Sequence, residues 1–364
     1  MRKLSSFTAA ACLALAASVA GSNVAQAAAQ KVDFSGKRIE MIVPFPPGGG
    51  SDAYIRALTP FLEKHLPGKP TIMIKNVPGG GSITGANHFH ARAKPDGTYA
   101  LVCSSSTLMN YMFQRNKFEL ELDKLQPVLL SPQGSIIYAS PSLGAKSAKD
   151  IAKLKNQSLV FGGGGPTGAE IRMTATLELL GLDAKYVWGI ARGPVRLAFE
   201  RGELNINYDT TPAYMKNTSQ LVKAGKAVPL FALGVLNEQG NLVRDPNFPD
   251  LPNFAEVYEI MHGKKPSGPA YEAWKAILQM SVMANKSILL PAATPKPVVD
   301  AWREAVRKTL ADPEFEERAA KVVEGYPQFV GEAARPILKN ATALPSEVSG
   351  WINNFLKTKH NVTQ

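Results

Sequence analysis

The sequence predicts a two-domain α/β protein whose parallel sheets carry helices on their faces. Short apolar segments typical of buried strands alternate with helical segments along most of the 364 residues. The link from a strand to the next helix is repeatedly a glycine-rich or small-polar loop. A chain of this length can bury two cores of ordinary size.

Residues 1–27 have the pattern of a secretory signal peptide. Arg2 and Lys3 precede an apolar run, and Ala25-Gln26-Ala27 supplies the small-residue cleavage site. The run is too short and too rich in alanine for a good membrane span. Cleavage would lower the formal charge from +11 to +9, because Arg2 and Lys3 leave with the signal. We therefore expect the mature protein to be soluble and exported.

The remaining composition argues against several classes of function. Lys and Arg are dispersed rather than clustered with aromatic residues, so we expect no nucleic-acid partner. Cys103 is the only cysteine after the signal, which leaves no intrachain disulfide. His88 and His90 point in different directions on a predicted helix, which is a poor spacing for chelation. We predict no metal, no cofactor and no catalytic residue.

The first strand–loop–helix unit contains the strongest candidate site. An apolar strand ends near Val43, and a loop with two prolines and three glycines leads to a helix with Ser51 or Asp52 as the expected N-cap. Glycines let the backbone approach a ligand, and a helix N-terminus favours negative charge. We predict a site for a small anion, most simply a carboxylate, although a plain connecting turn fits the motif equally well. The candidate residues are Phe45, Gly48, Gly49, Gly50, Ser51 and Asp52.

The next two units of the first domain repeat this arrangement. A strand over 71–74 leads through a second glycine loop to a helix that ends near Arg92. A strand over 99–102 leads into a serine-rich segment that caps a helix beginning near Leu108. This segment adds three residues to the candidate site: Ser104, Ser105 and Thr107.

The middle of the chain reads as a second α/β unit with its own glycine loop. Strands are predicted over 136–139, 159–161, 185–188, 205–209 and 229–233, and helices over 147–154, 169–180, 195–201 and 213–224. The loop after the second of these strands adds Gly163, Gly164, Gly165, Thr167 and Gly168 to the candidate site. Asp209 ends a strand, where it could contact a ligand or cap the helix after Pro212.

The last third begins with a segment of low periodicity. We predict a long ordered loop over 234–269, anchored by Phe248, Leu251 and Phe254. A helix over 271–278 and an apolar strand follow. Three more helices are predicted, over 298–310, 314–323 and 334–356.

Two sequence features also fit an exported enzyme. Gly163–Gly168 fits the dinucleotide-binding pattern G-x-G-x-x-G after a strand, with Asp183 at a suitable distance. Against this, Asp183 precedes the next strand instead of ending it, where it would meet a ribose. Neither glycine loop ends in the Gly-Lys-Ser/Thr of a P-loop, and no G-x-S-x-G elbow occurs. An exported hydrolase using Ser104–Ser106 is the other enzymatic possibility.

Several motifs together resemble the Bug/TctC family, periplasmic solute-binding proteins of tripartite tricarboxylate transporters. The resemblance extends over nearly the whole mature chain. The motifs are Ile42–Asp52, Asn76–Gly81, Lys94–Tyr99, Arg201–Glu203, Leu251-Pro252 and Pro291–Pro295.

The resemblance implies a type II periplasmic-binding-protein fold, in which two α/β domains joined by two crossovers close over a ligand. Domain I would comprise 28–131 plus 234–364, and domain II 132–233. In the family, the loops that correspond to Phe45–Asp52 and Gly162–Gly168 grip a carboxylate through backbone amides and water, with Ser104–Thr107 nearby. The implied partners are a small organic anion and the membrane permease subunits, and we expect a monomer without enzymatic activity.

One departure from the family pattern concerns ligand choice. Many relatives have a histidine shortly after the second glycine loop, whereas this chain has Gly168-Ala169-Glu170. Glu170 could disfavour a second carboxylate on that side. A chemosensory co-receptor that binds ligand but feeds no transporter would share the same fold.

Overall fold

The computed structural model describes residues 32–362 apart from 238, 320–322, 324 and 343. The predicted signal peptide lies outside these described residues. The strands are β1 (Arg38–Val43), β2 (Thr71–Asn76), β3 (Tyr99–Ser104), β4 (Gln126–Ser131), β5 (Ser135–Ala139), β6 (Leu159–Gly163), β7 (Ala184–Trp188), β8 (Ile206–Thr210), β9 (Val228–Ala232), β10 (Val235–Leu236), β11 (Leu242–Val243), β12 (Lys286–Leu290) and β13 (Phe329–Val330).

The α-helices are α1 (Gly50–His65), α2 (Ile83–Arg92), α3 (Ser105–Phe113), α4 (Ile171–Leu180), α5 (Arg192–Glu200), α6 (Thr211–Ala213), α7 (Ser219–Lys223), α8 (Phe254–His262), α9 (Pro269–Leu278), α10 (Lys296–Leu310), α11 (Pro313–Arg318), α12 (Ala334–Thr342) and α13 (Ser346–His360). Short 3₁₀ helices include Gly80–Ser82 and Ala148–Asn156, and π turns occupy Tyr214–Thr218 and Gln279–Met283. Within the described residues, no helix is long and apolar enough to span a membrane.

The larger sheet has six strands in the order β13-β4-β12-β3-β1-β2. Strand β1 pairs in parallel with β2 and β3, as the strand–loop–helix pattern predicts. Strand β12 comes from the last third of the chain and lies antiparallel between β3 and β4. The late strand β12 therefore extends the predicted parallel set β2-β1-β3 with an antiparallel neighbour.

The second unit contains two smaller sheets that share a boundary. Strand β6 pairs in parallel with β7, and β5 lies antiparallel between β8 and β9. Asn205 joins the two sheets: its N–H donates to Val160 O at 3.1 Å, and its Oδ1 accepts from Val160 N at 2.8 Å. These bonds hold the amino-terminal ends of β6 and β8 side by side.

Two faces of the six-stranded sheet are buried differently. One face packs against α1 and α10 through residues such as Leu58 and Trp302, both almost completely buried. The core on the other face includes Leu101 and continues through Phe161 and Ile171 into the second unit. The two units thus share a continuous apolar core at their junction.

Three helices from the last third of the chain pack on the middle unit. Trp274 of α9 donates from Nε1 to Thr176 Oγ1 of α4 at 2.8 Å. His262 Nε2 at the end of α8 lies 3.1 Å from Leu179 O, and the ring of His360 in α13 packs 4.8 Å from that of Tyr186. These contacts bear on the predicted domain boundary at 234, which remains a prediction.

Two element predictions for the last third are wrong. The segment predicted as a loop contains helix α8, which begins with a capping box: Glu256 N donates to Asn253 Oδ1 at 3.1 Å, and Asn253 N to Glu256 Oε2 at 2.7 Å. The single helix predicted over 334–356 is two helices. Pro345 is the N-cap of α13. The helix breaks before this residue because proline lacks the N–H needed inside a helix.

Candidate functional site

The loop after β1 presents the start of α1 without a side-chain cap. The N-cap is Gly49, and no side chain bonds to the amides of the first turn. The N-cap expected at Ser51 or Asp52 is wrong, because both residues already lie inside the helix. Gly48 has φ +76°, a conformation that glycine adopts without strain. The amides of the first turn are thus left for another acceptor.

Asp52 holds this loop in place with its own carboxylate. It is only 2% exposed, and its Oδ2 accepts from Gly48 N at 2.8 Å and from Arg56 Nε at 2.9 Å. Its Oδ1 accepts from Asn76 Nδ2 at 3.0 Å. Burial alone would raise the pKa of Asp52, but the hydrogen bonds from Arg56, Gly48 and Asn76 outweigh it and lower the pKa. Both carboxylate oxygens are therefore occupied by the chain itself.

Asn76 ties the loop to the neighbouring strand. The same Nδ2 that donates to Asp52 also donates to Phe45 O at 3.0 Å. Since Asn76 is the last residue of β2, the loop after β1 is fixed to the carboxyl end of β2.

Helix α3 begins at Ser105, three residues before the predicted start, and Ser104 is its N-cap. The capping box joins Ser106 N to Ser104 Oγ at 3.2 Å and Ser104 N to Thr107 Oγ1 at 3.2 Å. The side chains of Ser104 and Thr107 are therefore engaged in forming the helix. Ser105 and Ser106 point their hydroxyls towards the second glycine loop instead.

The loop after β6 is bonded to the start of α3. Ala169 N donates to Ser106 Oγ at 3.3 Å, and Thr167 Oγ1 donates to Asn110 Oδ1 at 2.8 Å. The N-cap of α4 is Glu170, which makes no side-chain cap bond. The structure thus brings together two of the three segments that the sequence nominated. In the described part of the chain, no hydrogen bond links either of them directly to the loop after β1.

The glycines of the two loops fall into two groups. A Cβ added at Gly48, Gly50, Gly164 or Gly165 would have no described atom within 4 Å. A Cβ at Gly163 or Gly168 would instead meet the side chain of Glu170, at 2.3 and 2.9 Å. The first group faces open space, where a ligand can approach the backbone. The second group makes room for a side chain of the protein.

Asn110 connects helix α3 to two loops and was not anticipated from the sequence. Its Nδ2 donates to Gly81 O at 2.8 Å and to Ser106 O at 2.9 Å. Its Oδ1 accepts from Thr167 and from Gln114 Nε2, the latter at 2.8 Å. An amide inside the otherwise apolar stretch Leu108–Phe113 is the signal that could have revealed this role.

Arg172 is a second residue that the sequence analysis missed. It is 1% exposed, and its guanidinium donates to Ser105 Oγ at 2.6 Å, Ser135 Oγ at 2.8 Å and Ala169 O at 2.9 Å. All three acceptors are neutral. Burial lowers the pKa of Arg172, but a guanidinium stays protonated at neutral pH. A buried positive charge therefore lies where the second loop, α3 and the crossover before β5 meet.

Lys286 adds a second buried cation close to Arg172. It is 6% exposed and donates from Nζ to Asn285 Oδ1 at 2.6 Å. Burial, together with the charge of Arg172, lowers the pKa of Lys286 to about 7. Strand pairing places Lys286 opposite Ser104, at the carboxyl end of β3. The sequence signal for this buried cation was a lysine placed at the start of a mainly apolar strand.

Residues 55–329 match the model of the tripartite tricarboxylate transporter family receptor, TctC. The chain belongs to this family. Among curated relatives, a UPF0065 protein of Bordetella pertussis is 29% identical over 304 residues, covering 81% of this chain and 83% of the relative. A UPF0065 protein of Pseudomonas sp. strain P51, from the tcbD-tcbE intergenic region, is 22% identical over 347 residues and covers 92% and 91% of the two chains.

Solved structures confirm the type II periplasmic-binding-protein fold of this TctC receptor. The periplasmic binding protein BugD superposes with a TM-score of 0.64 at 24% identity, over 88% of this chain and 97% of BugD. MatC of Rhodopseudomonas palustris with bound malate gives 0.63 at 22%, over 86% and 98%. An R. palustris protein with adipate gives 0.65 at 18%, over 88% and 97%.

The TctC receptor is a solute-binding protein and not an enzyme, since the matched family and these structures are solute-binding proteins. The hydroxyls proposed for a hydrolase have other partners: Ser104 caps α3 and Ser105 accepts from Arg172. Cys103 is fully buried, and burial raises the pKa of its thiol to about 12. Cys103 is thus a small core residue.

Asp209 neither caps the following helix nor presents a free carboxylate. The N-cap of α6 is Thr210, without a side-chain bond. Asp209 is 2% exposed and accepts from Thr218 Oγ1 at 2.7 Å, Tyr138 OH at 3.0 Å and Arg196 Nε at 3.2 Å. This carboxylate is thus satisfied within the second unit.

Arg192 lies beside this group at the start of α5. Its guanidinium stacks over the ring of Tyr208 at 4.1 Å and donates to Asn207 Oδ1 at 2.9 Å. Asp209 Oδ1 lies 3.7 Å away and holds the guanidinium in this position. Arg192 is a third cation on the junction side of the second unit.

Proposed function

We propose that this TctC receptor captures a small organic carboxylate between the loop after β1 and the loop after β6, and delivers it to membrane permease subunits. The observation that carries the proposal is the buried guanidinium of Arg172. Its hydrogen-bond partners are neutral oxygens from α3, the second loop and the crossover before β5. Glu170 attracts this charge but forms no ion pair with it within 4.0 Å, so an anionic ligand would compensate the guanidinium further.

The backbone supports the same ligand class. Helix α1 begins at the first loop without a side-chain cap, whereas the first amides of α4 already donate to the carbonyls of residues 168–170. Amides at an uncapped helix N-terminus and a partial positive charge favour an anion. Once hinge closure excludes water, charge-assisted hydrogen bonds to these amides become stronger.

The two related structures with ligands agree with this class. MatC was solved with malate, and the second R. palustris protein with adipate. Both ligands are carboxylates, and we extend this property of those two proteins to the present chain as part of the proposal.

We assign different roles to the candidate residues. Direct contact falls to the ring of Phe45 and to the backbone of Gly48, Gly49, Gly50, Ser51, Gly164 and Gly165. Among these, Gly48, Gly50, Gly164 and Gly165 have open surroundings. Positioning falls to residues whose side chains are already occupied: Asp52, Ser104, Ser105, Thr107, Thr167 and Asp209. Gly163 and Gly168 accommodate Glu170.

Location and partners complete the proposal. We infer export through the signal peptide at residues 1–27, action as a monomer, and release of ligand to the permease of a tripartite tricarboxylate transporter. Affinity capture of membrane subunits with the ligand-loaded protein tests the last step. Recovery of sensor subunits in place of permease would instead identify a chemosensory co-receptor.

A thermal-shift screen of mono- and dicarboxylates tests the binding proposal. Ligand at 100 times its Kd should stabilise the protein by about 2.7 kcal/mol, which is a measurable rise in Tm. Arg172→Gln should remove this rise, whereas Arg201→Gln, a matched change at an exposed arginine, should leave it intact. A rise in Tm with neutral solutes but with no carboxylate would overturn the proposal. Native mass spectrometry of the purified protein would reveal a retained acid.

A further inference from the structure

Glu170 is a buried carboxylate at the edge of the proposed site. Only 4% of the residue is exposed. Its Cγ lies 2.3 Å from the place of a Cβ on Gly163, and its Oε2 lies 2.9 Å from the place of a Cβ on Gly168. The side chain therefore lies over the glycine backbone of the second loop, on the side where any larger residue would collide with it.

The fold supplies no hydrogen-bond donor to this carboxylate. Glu170 is the N-cap of α4, yet its side chain does not cap the helix. Among the described residues, none donates a hydrogen bond to it or forms an ion pair with it within 4.0 Å. Arg172 and Arg192 oppose its charge only at longer range, and their guanidinium groups are engaged with other partners.

Both carboxylate oxygens keep some exposure, because neither is among the fully buried, unpaired side-chain atoms of the described residues. A hydrogen-bond donor on a bound ligand could therefore replace solvent at these oxygens. The neighbouring backbone at Gly164 and Gly165 is open, so a ligand in the cleft can reach this place. A second ligand carboxylate there would meet a like charge in a water-poor environment, which is strongly unfavourable.

We propose that Glu170 selects ligands with a single carboxylate and a hydrogen-bond donor at the opposite end, such as an amide or an ammonium group. The ligand carboxylate lies against the start of α1 and the Arg172 side of the junction. The donor end faces Glu170. This inference rests on the proposed function and narrows its ligand class to acids with a single negative charge, held at the end of the ligand that faces away from Glu170.

Matched ligands test this assignment directly. Calorimetry on the mature full-length chain would compare each dicarboxylate from succinate to adipate with its half-amide and with the ω-amino acid of the same length. We expect the best half-amide or amino acid to bind on the order of 100-fold more tightly than the matched dicarboxylate. Equal affinities for wild type would overturn the inference without any variant being made.

Two variants sharpen the test. Glu170→Gln keeps the shape of the side chain, removes its charge and breaks no side-chain hydrogen bond within the described residues. This variant should therefore bind dicarboxylates more tightly than wild type does, and its preference for half-amides and amino acids over dicarboxylates should shrink or reverse. Glu259→Gln, at an exposed position on α8, is the matched control and should keep the wild-type ratio. If Glu170→Gln does not fold, Glu170→Ala should show the same gain.

The outcomes separate the two proposals. Tight binding of dicarboxylates by wild type, with a ratio unchanged in Glu170→Gln, would refute the role of Glu170 while leaving carboxylate capture in place. Failure of every acid to bind both wild type and Glu170→Gln, when neutral solutes do bind, would refute carboxylate capture itself.

Discussion

Lys286 is the residue whose burial most directly links stability to pH. Its pKa is lowered from its ordinary value of 10.5 to about 7 by burial and by Arg172. Between these two values the unfolded chain binds a proton that the folded chain lacks. The free energy of unfolding should therefore rise as the pH increases through this window, and the cost of burying the charged amine is greatest below it.

Replacing Lys286 with Met should abolish this pH dependence. We expect Lys286→Met to be more stable than wild type at pH 6, with the difference narrowing as the pH approaches 10. Urea unfolding at pH 6, 8 and 10 measures it. Lys149→Met, at an exposed lysine, should show no such trend. A constant difference between Lys286→Met and wild type across this range would contradict the prediction.

The direction in which the Kd changes when Asp52 is removed tells whether this residue positions the loop or contacts the ligand. A carboxylate that touched the ligand would repel another carboxylate, so its removal would improve binding. A carboxylate that only holds Gly48 and Asn76 should instead weaken binding when removed, because the loop loses its shape. We expect Asp52→Ala to raise the Kd about 10-fold, or about 1.4 kcal/mol. Calorimetry decides, and a lower Kd would place Asp52 in contact with the ligand.

Sequence reasoning found some of these residues and missed others for a physical reason. Asp52 follows a glycine loop at a helix start, a local pattern that is visible in the chain. Arg172 and Lys286 gain their importance from burial at the meeting of distant segments, which no local pattern records. The charged residues were visible in the sequence. That Ser105 and Ser135 are the partners of Arg172 was not visible.

At the level of elements, the bond between α9 and α4 fixes the last third of the chain to the middle unit. Trp274 and Thr176 are both almost completely buried, and the indole N–H donates to the threonine hydroxyl. A neutral hydrogen bond of this kind contributes about 1 kcal/mol. The stacking of Trp274 on Phe254, with centroids 4.0 Å apart, extends the contact to α8.

A double-mutant cycle measures this coupling. Trp274→Phe and Thr176→Val should each destabilise the protein, and the pair should show a coupling energy of about 1 kcal/mol in urea unfolding. Trp302→Phe combined with Thr176→Val is the control pair, since Trp302 donates to Gly97 O in the other unit. Full additivity of Trp274→Phe and Thr176→Val would show that the contact adds nothing to docking.

Local sequence patterns predict individual strands and helices better than they predict how those elements are arranged in the fold. The strand–loop–helix units that begin with β1 and β6 follow from loop chemistry close in sequence. The position of β12 between β3 and β4 depends on a return from about 150 residues away, and Pro127 in β4 argued against a strand there. Helix α8 had a readable signal, the capping box Asn253-x-x-Glu256, hidden in a segment of low periodicity.

For the whole molecule, these contacts suggest a revised division into two rigid bodies. We propose that α8, α9 and α13 move with the middle unit, although the chain there lies beyond the predicted boundary at 234. The crossover into the larger sheet would then lie near 283–286, where Gln133 N donates to Val282 O at 3.0 Å and Ser105 N to Asn285 O at 3.0 Å. Hinge closure on ligand binding would rotate the larger sheet against everything attached to α4.

Distances between spin labels distinguish the two divisions. Lys149, Glu304 and Lys357 are exposed on the middle unit, α10 and α13, respectively. The native Cys103 is fully buried, so labels should attach to cysteines introduced at these three positions. Pulsed electron resonance would measure each pair with and without a carboxylate that raises the Tm.

The revised division predicts that ligand changes the Glu304–Lys357 and Glu304–Lys149 distances and leaves Lys149–Lys357 unchanged, because α13 and the middle unit move together. If the domain boundary lies at 234, α13 moves with α10 instead. The Glu304–Lys357 distance then stays constant, and the Lys149–Lys357 distance changes. If all three distances stay constant although the ligand binds, the receptor captures its ligand without closing, and the amides of the two loops must grip it in their present positions.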